Sequence, residues 1–146
     1  MTILTVVIPV FNRADLIGRI LEAVLANAGE GADGGDSDDP PLLPLRDRPE
    51  AAIEIVVVDD CSRDATREIV ARYPVKLLCT PGNSGPSRAR NLGVAAGRGE
   101  ILVFVDSDVE VRPDTLVRIY DRMRAHPELG GVAAVSAEEC PFDNYL

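Results

Sequence analysis

Residues 101 to 108 read Ile-Leu-Val-Phe-Val-Asp-Ser-Asp. Five consecutive apolar residues leave no polar face for water. That is the pattern of a strand covered on both faces, as in a parallel sheet sandwiched between helices. Two carboxylates follow, one residue apart, where the chain leaves the sheet and meets solvent. Hard divalent cations take oxygen ligands of this kind, and Mg²⁺ commonly shares one or two carboxylates with substrate phosphates. Asp-Ser-Asp is also good turn chemistry, and an aspartate here can cap the next helix. Alone, the segment supports both a metal–diphosphate site and a plain turn. The rest of the chain bears on the choice.

The same alternation runs through the sequence. Leu4 to Val10 reads as a buried strand closed by Pro9 and the polar pair Asn12-Arg13. Asp15 is placed to cap a helix to about Asn27, with Leu16, Ile20, Leu21, Val24 and Leu25 on one face. Ile53 to Val58 is a second strand ending in Asp59-Asp60, and Ser62 or Asp64 can start a helix to about Arg72. Val75 to Cys79 is a third strand, followed by a loop to Gly85 and a helix opened by Pro86. Ile101 to Val105 is the fourth strand. Pro113 begins a further helix ending near His126, and Val132 to Val135 reads as a fifth strand. Strand and helix alternating in this way predict an α/β fold, a doubly wound and mostly parallel sheet with right-handed crossovers and helices on both faces.

With 146 residues, the chain is long enough for a single domain with a real core. Its net charge of −9 argues against a nucleic-acid partner. Segment 29–50 holds seven acids against Arg46 and Arg48, so much of the acidity is local. Its Gly, Asp and Pro content predicts a flexible acidic insertion over residues 28–52. No apolar stretch reaches the ~20 residues that span a bilayer. Three cysteines without metal-ligand spacing (Cys61, Cys79, Cys140) suit reduced thiols. The expected location is therefore the cytoplasm, with a peripheral position at the inner membrane face as the second option.

In open α/β sheets, ligands bind outside the carboxyl ends of the strands, where strand order reverses. Four polar clusters fall at such ends: Asn12-Arg13, Asp59-Asp60, Gly82-Asn83-Ser84-Gly85 and Asp106-Ser107-Asp108. Together they suit a nucleoside diphosphate with a metal. An acid after the second strand can accept from a ribose hydroxyl or a base N–H. The helix start near Ser84–Arg90 offers backbone N–H groups and Arg88 to an anion. The Asp pair can hold the neutralising cation. Each has a plainer reading: Asp60 as a helix cap, Arg88 as a surface residue, Arg90 as a salt-bridge partner. Other phosphate folds fail on position. The first strand is followed by Phe-Asn-Arg rather than a glycine-rich G-x-G-x-x-G turn. A phosphatase D-x-D belongs at the first strand.

Val7-Ile-Pro-Val-Phe-Asn12, Val56-Val-Val-Asp-Asp-Cys-Ser-Arg-Asp-Ala-Thr66, Gly82-Asn-Ser-Gly-Pro-Ser-Arg-Ala-Arg-Asn-Leu-Gly93 and Phe104-Val-Asp-Ser-Asp108 resemble, in order, the blocks of family 2 glycosyltransferases. These are inverting enzymes of the GT-A fold. The resemblance implies a nucleotide-sugar donor, usually a UDP-sugar, with Mg²⁺ or Mn²⁺. The acceptor would be a carbohydrate, lipid or other hydroxyl. Carried over, Pro9, Val10 and Asn12 would contact the nucleoside, the first two through the backbone. Asp60 would bond the base, Arg88 would lie near the nucleotide, Asp106 would meet the ribose or the metal, and Asp108 would be the metal ligand proper.

Three departures stand out, of which a loop 28–50 longer than the family's is expected to change little in the core. Cys61 stands where the family usually has Gly, which is tolerable unless the turn needs positive φ. The family's acceptor half, with its general base, follows later in sequence than Leu146, and Glu138 and Glu139 come too early for that base. The resemblance thus implies a truncated donor half with no assigned catalytic base. Three rival readings stand beside transfer: a nucleotide-binding fragment without catalysis, a nucleotidyltransferase, and a phospho-acceptor signalling domain. The last two want a Gly-rich basic loop or an acid pair after strand one, neither of which fits.

Overall fold

Strand β1 (Thr2–Val10) is the axis of the fold, buried from Leu4 to Val10. The computed structural model describes residues 1–31, 39 and 41–134. On one edge β1 pairs in parallel with β3 (Arg48–Asp59), from Thr2 opposite Ala51 to Val10 opposite Asp59. On its other edge it pairs in parallel with β5 (Ile101–Phe104), Leu4 opposite Ile101 through Val7 opposite Phe104. The outer edge of β3 is shared. β4 (Lys76–Cys79) runs parallel to its second half, and β2 (Leu43–Leu45) runs antiparallel to its first.

Alternation sorts the side chains to two faces. Leu4, Val6, Ile8 and Val10 of β1, with Ile53, Ile55 and Val57 of β3, form the main core. Three helices cover it. From α1 (Ile17–Leu25) come Ile17, Ile20, Leu21 and Val24, from α2 (Thr66–Val70) Val70, and from α4 (Thr115–Ala125) Leu116 and Tyr120. Each fully buried Leu, Ile or Val is worth roughly 1.5–3 kcal/mol. The opposite face is covered by α3 (Pro86–Ala96), whose Ala89 packs on Val56 and Val58. Helices thus lie on both faces of a mostly parallel sheet. The chain builds from β1 outward to β3 and β4, and then β5 returns to the far side of β1. Strand order reverses between β1 and β5.

The α3–β5 connection is held at the opposite end of the sheet from the strand tips. Glu54 is fully buried, accepts the Thr5 hydroxyl at 2.5 Å, and pairs with Arg98 Nε at 2.9 Å. It also accepts the Arg98 amide, while the Gly99 amide donates to Thr5 Oγ1 at 2.8 Å.

Four expectations change. β5 is not covered on both faces: it is an outer strand of the sheet, with Val103 buried while Leu102 and Phe104 are 41% and 50% exposed. The acidic insertion does not reach residue 52: Leu43 and Leu45 are core residues of β2, and β3 already begins at Arg48. The local charge density hides a short apolar Leu-Pro-Leu strand, and a left-handed Asp47 (φ 59°) turns the chain between the two. Val132 to Ala134 form no strand, and Val135 lies outside the described residues, as do Asp33, Asp36, Asp38, Glu138, Glu139 and Cys140. Asp15 does not cap α1. Its first amides, Leu16 and Ile17, donate to the Arg13 carbonyl.

Gly93 sets the distance between α3 and the sheet. A β-carbon there would stand 2.4 Å from Val7 Cγ1 and 3.2 Å from Val58 Cγ2. Both neighbours are themselves fully buried and have no free space to retreat into. Gly93→Ala is therefore expected to destabilise the fold by about 1–3 kcal/mol. A urea denaturation midpoint within error of wild type would refute this.

Candidate functional site

The four predicted polar clusters do lie at the carboxyl ends of β1, β3, β4 and β5, along one edge of one sheet. Toward one end of that edge, between β1 and the outer strand β5, strand order reverses. Asp106 and Asp108 sit there, just past β5. The Asp106 carbonyl accepts the Val109 amide at 3.0 Å, so Asp-Ser-Asp does form a turn. It caps nothing, however. α4 starts only at Thr115, and its Leu116 amide goes instead to Asn27 Oδ1 at 2.9 Å. Asn27 is fully buried and also donates to the Arg112 carbonyl at 3.0 Å. This residue from the end of α1 pins the far side of the loop that carries the acids. Nothing in the local sequence pattern marked it.

Asp106 and Asp108 have different surroundings. Asp106 Oδ1 is 2.7 Å from Arg90 Nη2, an ion pair about one-third exposed on each side. The Asp108 side chain is exposed and has no hydrogen bond or ion pair to the described residues. No group of three or more His, Cys, Asp or Glu side chains that could hold a metal exists among the described residues.

The acid pair after β3 is used differently. Asp59 and Asp60 point to opposite faces. Asp60, 5% exposed, is enclosed by loop 80–85. Its Oδ1 accepts from Thr80 Oγ1 (2.7 Å), the Ser84 amide (2.8 Å) and Ser84 Oγ (2.9 Å), and its Oδ2 from the Gly85 amide (2.8 Å). Burial pushes its pKa up. Hydrogen bonds from Ser84, Thr80 and Gly85 outweigh that and hold the carboxyl below its ordinary value. Asp60 thus shapes the loop and the start of α3. Asp59 is fully buried. Its Oδ2 accepts the Ser62 amide at 3.0 Å and lies 3.7 Å from Arg67 Nε, while its Oδ1 has no hydrogen-bond partner among the described residues.

Pro9 and Val10 are buried within β1, so only their backbone can face a ligand, and the Val10 carbonyl already accepts the Asp60 amide at 2.8 Å. Asn12 is exposed and joins two loops. Its amide donates to Ser62 Oγ, and its Oδ1 accepts the Arg63 amide, each at 2.8 Å. The Arg13 amide donates to Thr66 Oγ1 and the Ala14 amide to Asp64 Oδ2. Both Asn12 (φ 49°) and Cys61 (φ 67°) are left-handed. The turn at Cys61 does need the conformation that glycine adopts without cost.

Arg88 and Arg90 part ways. Residues two apart on a helix are separated by about 200°, so both cannot serve the same flank. Arg88 is exposed and lines an open depression of about 510 Å³ with Thr80, Gly82, Asn83, Ser84 and Leu92. Arg90 reaches the reversal point and Asp106. The helical spacing alone could have flagged this choice.

A mostly parallel sheet with helices on both faces and an Asp-Ser-Asp turn at its reversal point is the architecture of the GT-A class. The profile of glycosyl transferase family 2 matches residues 5–145, and the chain belongs to that family. The succinoglycan biosynthesis protein ExoO of Rhizobium meliloti is 39% identical over 124 residues, 83% of this chain and 30% of that protein. Among solved structures, S. aureus TarS 1–349 in complex with UDP-GlcNAc superimposes with a TM-score of 0.66 at 26% identity, over 99% of this chain and 39% of TarS 1–349. The mannosyltransferase PcManGT from Pyrobaculum calidifontis, in complex with GDP-Man and Mn²⁺, gives 0.64 at 26% identity, over 96% of this chain and 36% of that one.

Two expected outcomes follow from the edge. Cys61→Gly removes a left-handed strain of about 1 kcal/mol, offset in part by glycine's greater freedom when unfolded. It should raise the urea midpoint slightly, and a lowered midpoint would contradict the strain. Asp60 has a folded pKa below its unfolded one, so the stability it contributes is present above about pH 4 and is lost as pH falls through the folded value. Asp60→Asn should be less stable at pH 7 and should lose less than wild type between pH 5 and pH 2. Parallel acid-denaturation curves would show that Asp60 is not the linked group.

Proposed function

We propose that this chain is the donor-binding domain of a glycosyltransferase that moves a sugar from a nucleotide diphosphate, a UDP-sugar, to an acceptor hydroxyl. The observation that carries the reading is the pair Asp106 and Asp108 at the strand-order reversal, one carboxylate held by Arg90 and the other without a partner among the described residues. Family membership and the UDP-GlcNAc and GDP-Man/Mn²⁺ complexes of the structural neighbours support it.

The residues fit a divalent cation shared with a ligand. Two accessible carboxylates separated by one residue are a hard oxygen set, too few to enclose an ion, and Mg²⁺ or Mn²⁺ sites of this kind are completed by phosphate oxygens and water. Asp108 would be the main ligand and Asp106 the second. When bound, the cation would offset charge on the departing diphosphate. The chain's own residues do the rest. The first turn of α3, beginning after a left-handed Gly85 (φ 87°), offers the Ser87 and Arg88 amides to phosphate oxygens. Pro9, Val10 and Asn12 form one wall of the nucleoside site. Asp60 acts on the base side chiefly by holding loop 80–85, and Arg88 stands at that loop's outer rim. The acceptor is a carbohydrate, lipid or other hydroxyl. The group that removes its proton is assigned to no residue of this chain.

The domain runs over residues 1–146 with an acidic insertion. No helix among the described residues is long and apolar enough to cross a membrane. The free thiols of Cys61 and Cys79 agree with a reducing, cytoplasmic setting, and a peripheral membrane position is compatible with it. The alternative reading is nucleotide binding without transfer.

Calorimetric titration with UDP should show binding that strengthens when Mn²⁺ is added. Asp108→Ala should weaken the Mn²⁺-dependent component by about tenfold or more. Equal UDP affinity with and without Mn²⁺ would defeat the metal-assisted reading. Measurable sugar transfer from a UDP-sugar would overturn the binding-only alternative.

A further inference from the structure

Arg90 occupies the carboxylate that a cation would need. Its Nη2 lies 2.7 Å from Asp106 Oδ1, and no other charged side chain touches Asp106 among the described residues. The helix beneath Arg90 cannot shift to relieve this. Ala89 is fully buried, and Gly93, four residues on from Ala89, lies against Val7 and Val58 with no room for a β-carbon. The Arg90 side chain, by contrast, is about one-third exposed, and its guanidinium can rotate on its own stem.

We propose that Arg90 is a positioning residue that acts as an internal counter-cation. It holds Asp106 while the site is empty, and the divalent ion and the donor diphosphate displace it together. This rests on the donor-site reading above. Like charges disfavour each other at this range, so a cation approaching Asp106 alone meets Arg90. A cation arriving with a diphosphate brings its own anion. The planar guanidinium then has a phosphate to pair with in place of Asp106, a geometry it matches well. Asp108, without a partner among the described residues, remains the open half of the site. Cation and donor binding are therefore coupled, each strengthening the other. Arg88 cannot substitute, because it projects from the other flank of α3 beside Ser84 and Leu92.

The test measures Mn²⁺ alone, by electron paramagnetic resonance titration of the unbound ion, and UDP with Mn²⁺ by calorimetry. Both are run on wild type, Arg90→Gln and Arg90→Lys. Arg90→Gln should bind Mn²⁺ alone about three- to tenfold more tightly while binding UDP with Mn²⁺ more weakly. Arg90→Lys keeps the charge, so Mn²⁺ alone should stay near wild type, while loss of the planar fork lowers UDP affinity. Circular dichroism melting confirms that each variant is folded. The proposal is overturned if Arg90→Gln leaves the affinity for Mn²⁺ alone unchanged or lowers it. A wild type that binds Mn²⁺ but no UDP would sink the donor-site reading instead, and the Mn²⁺ comparison between variants would still decide the role of Arg90.

Discussion

The parallel pairing of β1 with β3 fixes where every functional loop leaves the sheet. Val10 lies opposite Asp59, and the next amide, Asp60, closes onto the Val10 carbonyl. The two strands therefore end together, and their loops run out side by side, close enough for Asn12 to reach Ser62 and Arg63. A slip of one residue would turn every β3 side chain to the other face. Ile53, Ile55 and Val57 would leave the main core, and Asp60 would point away from loop 80–85. The apolar alternation that stabilises the core is thus the same constraint that aims the acids. Position along the edge comes from pairing, and face comes from the period-two pleat.

Much of this was legible because it is written in short-range pattern. Apolar runs at 6–10 and 55–58 mark buried parallel strands, and a polar cluster after each marks the carboxyl edge of the sheet; the run at 101–105 looks the same but forms an outer strand, with Leu102 and Phe104 exposed. What escaped depends on partners distant in sequence. Asp60 reads equally as a base contact or a cap until Thr80, Ser84 and Gly85 are seen around it. Asn27 looks like a helix end, yet it bonds the Arg112 carbonyl and the Leu116 amide. β2 was hidden by averaging, since three apolar positions in an acidic, proline-rich stretch carry little weight in a composition window. The Val132–Val135 expectation rested on apolar content alone, and a strand needs a paired neighbour as well as suitable residues.

Two left-handed residues, Asn12 and Cys61, sit on adjoining loops of the edge. Such residues cost of order 1–2 kcal/mol each unless glycine supplies them. Asparagine tolerates the conformation better than most, and at Asn12 the side chain also ties down the neighbouring loop. Cysteine has no such excuse, and its strain must be carried by the bonds on either side: Asp60 to the 80–85 loop, and Ser62 to Asp59 and Asn12. The edge is over-determined by hydrogen bonds, which lets strained backbone persist there.

The four acids of the edge divide by burial into two kinds of work. Burying a carboxylate is costly wherever its oxygens lack donors, a cost Asp59 bears at Oδ1. Asp60 avoids it with four donors, and the cost of withdrawing them is the loss of loop 80–85 itself. It is therefore poorly suited to exchange partners during a binding cycle. Asp106 and Asp108 lie where water can stand in for a ligand. Moving from water or a guanidinium to a cation and phosphate disturbs no backbone hydrogen bond of theirs. The sequence distance between the two pairs hides this division, because Asp-Asp and Asp-Ser-Asp look alike on paper. Burial separates them: Asp59 and Asp60 are enclosed by the protein, whereas Asp106 is about one-third exposed and Asp108 is exposed.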